Sequence, residues 1–323
     1  MSYEKRRELK DALGKLLHSY GAPLGMLLVI VLAALYIFMA RGSGPLPEFP
    51  RTPGDFMQSA RAERRLEELA VRLRENPDDI KALSESGRLK FQLGTQRYVE
   101  GIADLERARA LGLADARSFY YLGVMYQGVG LYEFAAQEYR RFLNNFPKDE
   151  EVRMLLAKLY YSSGDHAGAV REYEALLRDG SEDPVLLENL ALALWKEGRD
   201  YAAVLSRLRG LGASGAFLAD YAEGRISYES RNYAGALPPL LRAAGAAPAS
   251  GSFSDQPALF WMTADSAYRG KDEDAAYAWL QELVKISPEH EEGKRLLAKI
   301  EKARAAAAKA ARKAAAAAAR KKK

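Results

Sequence analysis

The 323-residue sequence has no cysteine and only three histidines, His18, His166 and His290, far apart along the chain. The first absence excludes disulfides, thiolate zinc sites and cysteine nucleophiles. It assigns no redox compartment, because envelope and cytosolic proteins alike can do without thiols. The second leaves no His-x-x-x-His pair for a metal. One G-x-G-x-x-G string occurs, at 210–215, but no β-strand pattern precedes it as a dinucleotide loop requires. No G-x-x-x-x-G-K-[ST] loop occurs, and Gly293-Lys294 lacks the upstream glycine of a phosphate loop. Carboxylates are plentiful, 43 in all, but on amphipathic helices they usually form the solvated face. No cofactor, no metal and no enzymatic activity are expected.

Clustered positive charge is also missing from the body of the chain. The formal net charge of +5 divides unevenly. Residues 303–323 contain only Ala (13) and Lys or Arg (8), and without them 40 basic face 43 acidic residues. Residues 1–20 hold five basic and three acidic residues, so 21–302 carry 35 basic against 40 acidic. An acidic body with two basic ends argues against a nucleic-acid-binding body, since phosphate affinity needs clustered cations on the folded surface.

Long apolar runs are rare, with one exception. Residues 16–40 carry no formal charge, and Leu24–Ala40 is apolar on every face. Seventeen helical residues span about 25 Å, at the short end of what a bilayer needs. Pro23 suits a first helical position, and Tyr20 and Tyr36 suit the two interfaces. A cleaved signal peptide is the rival reading. The run exceeds the usual ~7–15 residues, and Phe38 stands where a small residue is wanted, so an uncleaved signal anchor is expected over 21–40. Five basic residues precede it, and only Arg41 and Arg51 follow closely. The positive-inside rule then places residues 1–20, a basic juxtamembrane segment, in the cytoplasm and everything after 41 outside. Residues 41–58 read as a Pro/Gly-rich linker, with Pro45, Pro47, Pro50 and Pro53 favouring an extended spacer.

The rest is periodic. Counting from Ala116, the residues Leu122-Gly123, Tyr126, Gly130, Tyr132, Ala135, Tyr139, Phe142 and Pro147 fall at positions 7, 8, 11, 15, 17, 20, 24, 27 and 32. The same register gives Leu156, Ala157, Tyr160, Gly164, His166, Ala169, Tyr173 and Leu176 in the next unit. Weaker copies follow at 184–216, 217–250 and 257–290, and one with a two-residue insertion after Gly94 precedes them. This pattern resembles the tetratricopeptide repeat, a 34-residue pair of antiparallel helices. The resemblance implies an all-α, tetratricopeptide-repeat superhelical solenoid over 59–300, here preceded by one transmembrane helix. About six repeats are expected over 80–290, with a capping helix at each end because terminal units expose an apolar face.

In that family the first helix of each repeat lines a concave groove, typically with positions 2, 5, 9, 12 and 13. The resemblance therefore nominates Phe91, Tyr161, Trp195, Tyr228 and Tyr268 at position 12. It adds Tyr120, Tyr221 and Trp261 at position 5, Arg88, Lys158 and Arg225 at position 9, and Arg269 beside Tyr268. Aromatic rings with interspersed cations suit an extended peptide. Packing explains an aromatic at position 12 equally well for Phe91 and Tyr161. The carboxylate clamp that grips chaperone C-termini is not matched, because position 5 has no Lys and position 9 no Asn.

The tail, 301–323, is rich in helix-forming Ala, Lys and Arg. Lys309, Arg312, Lys313 and Arg320 fall on one helical face, which suits anionic lipid or wall polymer, although a solubilising tail has the same composition. The expected protein is a single-pass membrane protein with its repeat domain extracytoplasmic, periplasmic in a Gram-negative cell. Its layout resembles bacterial envelope scaffolds or adaptors that bind other proteins through the groove. The alternatives are a cytosol-facing membrane receptor, or a tail-mediated binder of nucleic acid or anionic polymer.

Overall fold

The computed structural model describes residues 30–31, 49–51, 59–247 and 253–321, with backbone alone from 316. Every regular element among the described residues is helical. The chain divides into two compact units, one ending at Leu159 and the other beginning at Tyr160. Among the described residues no helix is long and apolar enough to cross a membrane. The expected span over 21–40 and the juxtamembrane segment lie, except for Ile30 and Val31, outside the described residues.

In the first unit, α1 (Ser59–Glu75) is followed by α2 (Ile80–Leu93), a 3-10 turn (Thr95–Arg97), α3 (Tyr98–Ala110), α4 (Arg117–Gly128) and α5 (Tyr132–Asn145). The two-residue insertion after Gly94 is absorbed by the 3-10 turn. α2 packs on α3 and α4 on α5 as helical hairpins, and α2 also touches α4, the first helix of the next hairpin. That first-helix stacking is what makes a repeat into a solenoid. α1 caps the unit: Ala62 and Leu69 pack with Ala82 and Leu89, all buried. The division between the units falls within α6 (Glu150–Ser163).

The second unit continues with α7 (His166–Arg178), α8 (Pro184–Lys196), α9 (Ala202–Arg209), α10 (Gly212–Glu229), α11 (Tyr233–Gly245), α12 (Gln256–Arg269), α13 (Glu273–Ile286) and α14 (Glu291–Lys321). Here α8 touches α10 and α10 touches α12, repeating the stacking. α9 is short, and α10 begins at Gly212, five residues before the repeat position read from sequence. A tight join explains this: a Cβ on Gly215 would lie 2.1 Å from the Leu208 carbonyl oxygen.

Local chemistry sets the helix ends. Asp79, Asp149, Asp165, Asn232 and Asp272 each accept a backbone N–H three residues ahead at 2.8–3.0 Å, which satisfies an otherwise orphaned donor at the helix start. Gly130 and Gly164 turn between paired helices with φ of 81° and 86°, a backbone region open mainly to glycine. Close packing within hairpins follows from small residues at repeat position 8. A Cβ on Gly87, Gly123 or Gly224 would fall 2.5–2.6 Å from Leu105, Tyr139 or Leu240 respectively, each at position 24. These large partners are fully buried, and burying each contributes about 2–3 kcal/mol.

Candidate functional site

Spacing along α12 places Trp261, Asp265 and Tyr268 on one face, at i, i+4 and i+7. Arg295 and Lys299 share a face of α14 at i and i+4. With Tyr228 from α10, these side chains line a cleft of about 560 Å³ in the second unit. Its floor is a buried carboxylate. Asp265 Oδ2 accepts from the Tyr228 hydroxyl at 2.9 Å and from Arg269 Nε at 2.7 Å. Burial, together with the bond to Asp265, raises the Tyr228 phenol above its ordinary pKa, so it stays protonated and donating. The Arg269 guanidinium also lies 4.3 Å from the Tyr233 ring centre. Trp261 packs against His290 at 5.2 Å between ring centres, and His290 Nδ1 accepts the Gly293 amide at the start of α14.

Two cations of the cleft remain available. Among the described residues, no carboxylate pairs with Arg295 or Lys299 within 4 Å, and both are exposed. Lys299 Nζ stands 5.3 Å from the Tyr268 ring centre. Aromatic walls with two unspent cations suit an extended segment bearing acidic side chains or free carbonyls. Sequence reasoning missed Arg295 and Lys299, because α14 lies outside the repeat register. Their four-residue spacing was the available signal.

The other nominated residues are placed as follows. Trp195 is half-buried, with Lys196 Nζ 4.1 Å above its ring. Tyr161 is half-buried beside His166 at 5.2 Å, and burial pushes its phenol up. Arg225 is spent on Glu229 at 2.8 Å, and Lys196 reaches the same carboxylate at 2.7 Å. Burial disfavours the Glu229 charge, and these two cations outweigh it and hold the carboxyl below its usual range. Tyr221 is buried, its hydroxyl 3.1 Å from Asp255. In the first unit Phe91 and Tyr120 are buried too, packing among Tyr98 and Tyr121. Arg88 is half-buried and Lys158 exposed. On α14, Lys309, Arg312 and Lys313 are exposed, and Arg320 lies on the same continuous helix. Among the described residues no group of three His, Asp or Glu is placed to hold a metal ion.

The first unit holds one contact set that the sequence did not announce. Residues Phe49 to Arg51, from the Pro-rich linker, dock against α4, α5 and the start of α6. Arg51 donates to Asp149 at 2.5 Å and to Glu151 at 2.7 Å. The Tyr121 hydroxyl donates to the Pro50 carbonyl at 3.1 Å. The Phe49 ring meets Tyr120, Tyr121 and Phe142 edge-on at 5.3–5.9 Å.

No family model matches the chain. One relative, the BBSome complex member BBS4 of Bos taurus, is 31% identical over 105 residues, which cover 32% of this chain. The chain spans about a fifth of that relative's length. Among solved structures, a tetratricopeptide repeat protein of Parabacteroides merdae matches with a TM-score of 0.53 at 13% identity, covering 77% of this chain and 96% of that one. The C-terminal part of a repeat-containing protein of Cytophaga hutchinsonii matches with a TM-score of 0.50 at 14% identity, covering 74% and 98%. The fold is that of a tetratricopeptide-like helical solenoid.

Proposed function

We propose that this chain is a membrane-anchored tetratricopeptide-repeat scaffold or adaptor that captures partner protein segments in the second-unit cleft. The observation that carries the reading is the coincidence of Trp261 and Tyr268 with the unpaired Arg295 and Lys299 around one cleft. Such a site works without covalent chemistry: the rings supply rigid contact area, and the cations select acidic segments and exclude basic ones. The apolar run 24–40 and its flanking charges support an anchor with the repeats outside the cytoplasm, and the layout suits assembly or maintenance of a bacterial envelope complex. The exposed cations of α14 support a contact with anionic lipid or wall polymer.

Two measurements test this. Replacing Trp261 and Tyr268 together by Ala is expected to reduce co-purifying partners at least tenfold, since buried aromatic anchors typically contribute about 2 kcal/mol or more. Unchanged partners with an unchanged helical spectrum refute the site. For topology, the cysteine-free chain accepts a single reporter thiol. Ser43→Cys is expected to react with an impermeant maleimide on intact cells, or on spheroplasts where an outer membrane intervenes. Protection until the anchoring membrane is lysed refutes the extracytoplasmic placement.

A further inference from the structure

The docked segment Phe49-Pro50-Arg51 has the contacts of a bound ligand. Each of its residues has a distinct receptor group. Proline fixes its own φ, holds the preceding residue extended and brings no N–H that needs a partner. The Pro50 carbonyl accepts from the Tyr121 hydroxyl at 3.1 Å. Phe49 enters the aromatic corner of Tyr120, Tyr121 and Phe142. Arg51 closes the notch: its guanidinium meets both Asp149 oxygens at 2.5 and 3.1 Å and Glu151 at 2.7 Å. The same group lies 4.3 Å from the Phe49 ring centre and 5.1 Å from that of Tyr120. The Asp149 side chain is only 2% exposed, so its charge is satisfied within the notch rather than by water.

The acidic pair is itself fixed in place. Asp149 caps α6 by accepting the Val152 amide at 3.0 Å, and Glu151 accepts the Tyr120 hydroxyl at 3.1 Å. A planar fork of donors matches two such carboxylates, and a lysine ammonium does not. Both carboxylates are thus also held by groups other than the segment, and the notch differs in sign from the second-unit cleft.

We propose that the notch between α4, α5 and the start of α6 is a recognition site for an extended aromatic–Pro–Arg segment, and that residues 49–51 of this chain are its resident ligand in cis. The proposal stands on contacts within the first unit and is independent of the second-unit cleft. Tethering gives the resident segment an effective concentration near the millimolar range. The site is therefore self-occupied, and the same sequence supplied in trans must compete.

The test uses the full chain in dodecylmaltoside micelles and a fluorescent peptide of residues 47–52, Pro-Glu-Phe-Pro-Arg-Thr. Saturable binding is expected to a Phe49→Ala/Arg51→Ala chain. Wild type is expected to bind roughly tenfold more weakly if the peptide Kd is about 0.1 mM, because the tethered copy competes. Peptides with Arg51→Ala or Arg51→Lys, or with Phe49→Ala, are expected to bind the vacated chain at least about tenfold more weakly. Absence of binding to a folded vacated chain overturns the proposal, as does equal binding of the Arg51→Ala peptide. If the double variant does not fold, Arg51→Ala alone is titrated. Failure of both to fold overturns it as well, because the segment is then an integral part of the core.

Discussion

Gly123→Val is expected to lower the unfolding free energy by about 3 kcal/mol, read as a shift in the urea midpoint at unchanged slope. A Cβ at this position would stand 2.5 Å from Tyr139 Cε1 and 2.6 Å from Cδ1. The ring cannot easily withdraw: Tyr139 is fully buried, and its hydroxyl donates to Gln127 at 2.8 Å. Intrinsic preference runs the other way, since valine is about 0.5 kcal/mol better than glycine inside a helix. Overpacking exceeds that gain several-fold, so the net sign is destabilising. A second substitution, Tyr139→Leu, is expected to recover part of the loss, giving a coupling energy of about 1 kcal/mol or more between the two positions. Additive effects, or an unchanged midpoint for Gly123→Val, would show that the close contact of positions 8 and 24 does not hold the hairpin together.

Reversing the charge of Arg295 and Lys299 is expected to weaken partner capture more than removing either side chain does. Each substitution to Glu converts an attraction worth up to about 1 kcal/mol into a repulsion of similar size. The pair together accounts for about 2–4 kcal/mol, a loss of roughly 30-fold to 1,000-fold. Both side chains are exposed, so the fold is expected to keep its melting temperature. The wild-type interaction should weaken as salt rises, because charges this accessible are screened over about 8–10 Å. Partners retained in equal amount by the Arg295→Glu/Lys299→Glu chain would refute capture of acidic segments at this cleft.

The hairpins were legible because their contacts are periodic. Gly123 and Tyr139 touch across one turn, and the same small and large pair recurs as Gly87 with Leu105 and Gly224 with Leu240. The helix starts rest on contacts just as local, an Asx side chain accepting an amide three residues ahead. The site was legible only in part. Trp261, Tyr268 and Tyr228 were nominated by position, and they do converge on one cleft. Arg225 and Arg269 were nominated as cations but are neutralised by Glu229 and Asp265. Both pairs sit four residues apart on one helix, so the neutralisation follows from spacing alone. Arg295 and Lys299 lie on a helix with no place in the repeat count. The Phe49–Arg51 contact joins residues nearly a hundred positions apart, as Arg51 and Asp149 do. Local pattern carries no information at that range, and high proline content argued for a free spacer.

The last helix has a consequence for how the molecule is felt by its surroundings. Among the described residues Ile300 is the last buried side chain of α14, and Arg304 a turn further on pairs with Asp274. From there to Lys321 the helix runs on for about 25 Å. At physiological ionic strength that is roughly three screening lengths. The cations far along the arm are therefore screened from the part of the second unit on which α14 packs. A polyanion meeting the arm encounters the exposed Lys309, Arg312 and Lys313, whereas a partner at the cleft senses mainly Arg295 and Lys299. One chain presents two electrostatic faces that salt can weaken independently.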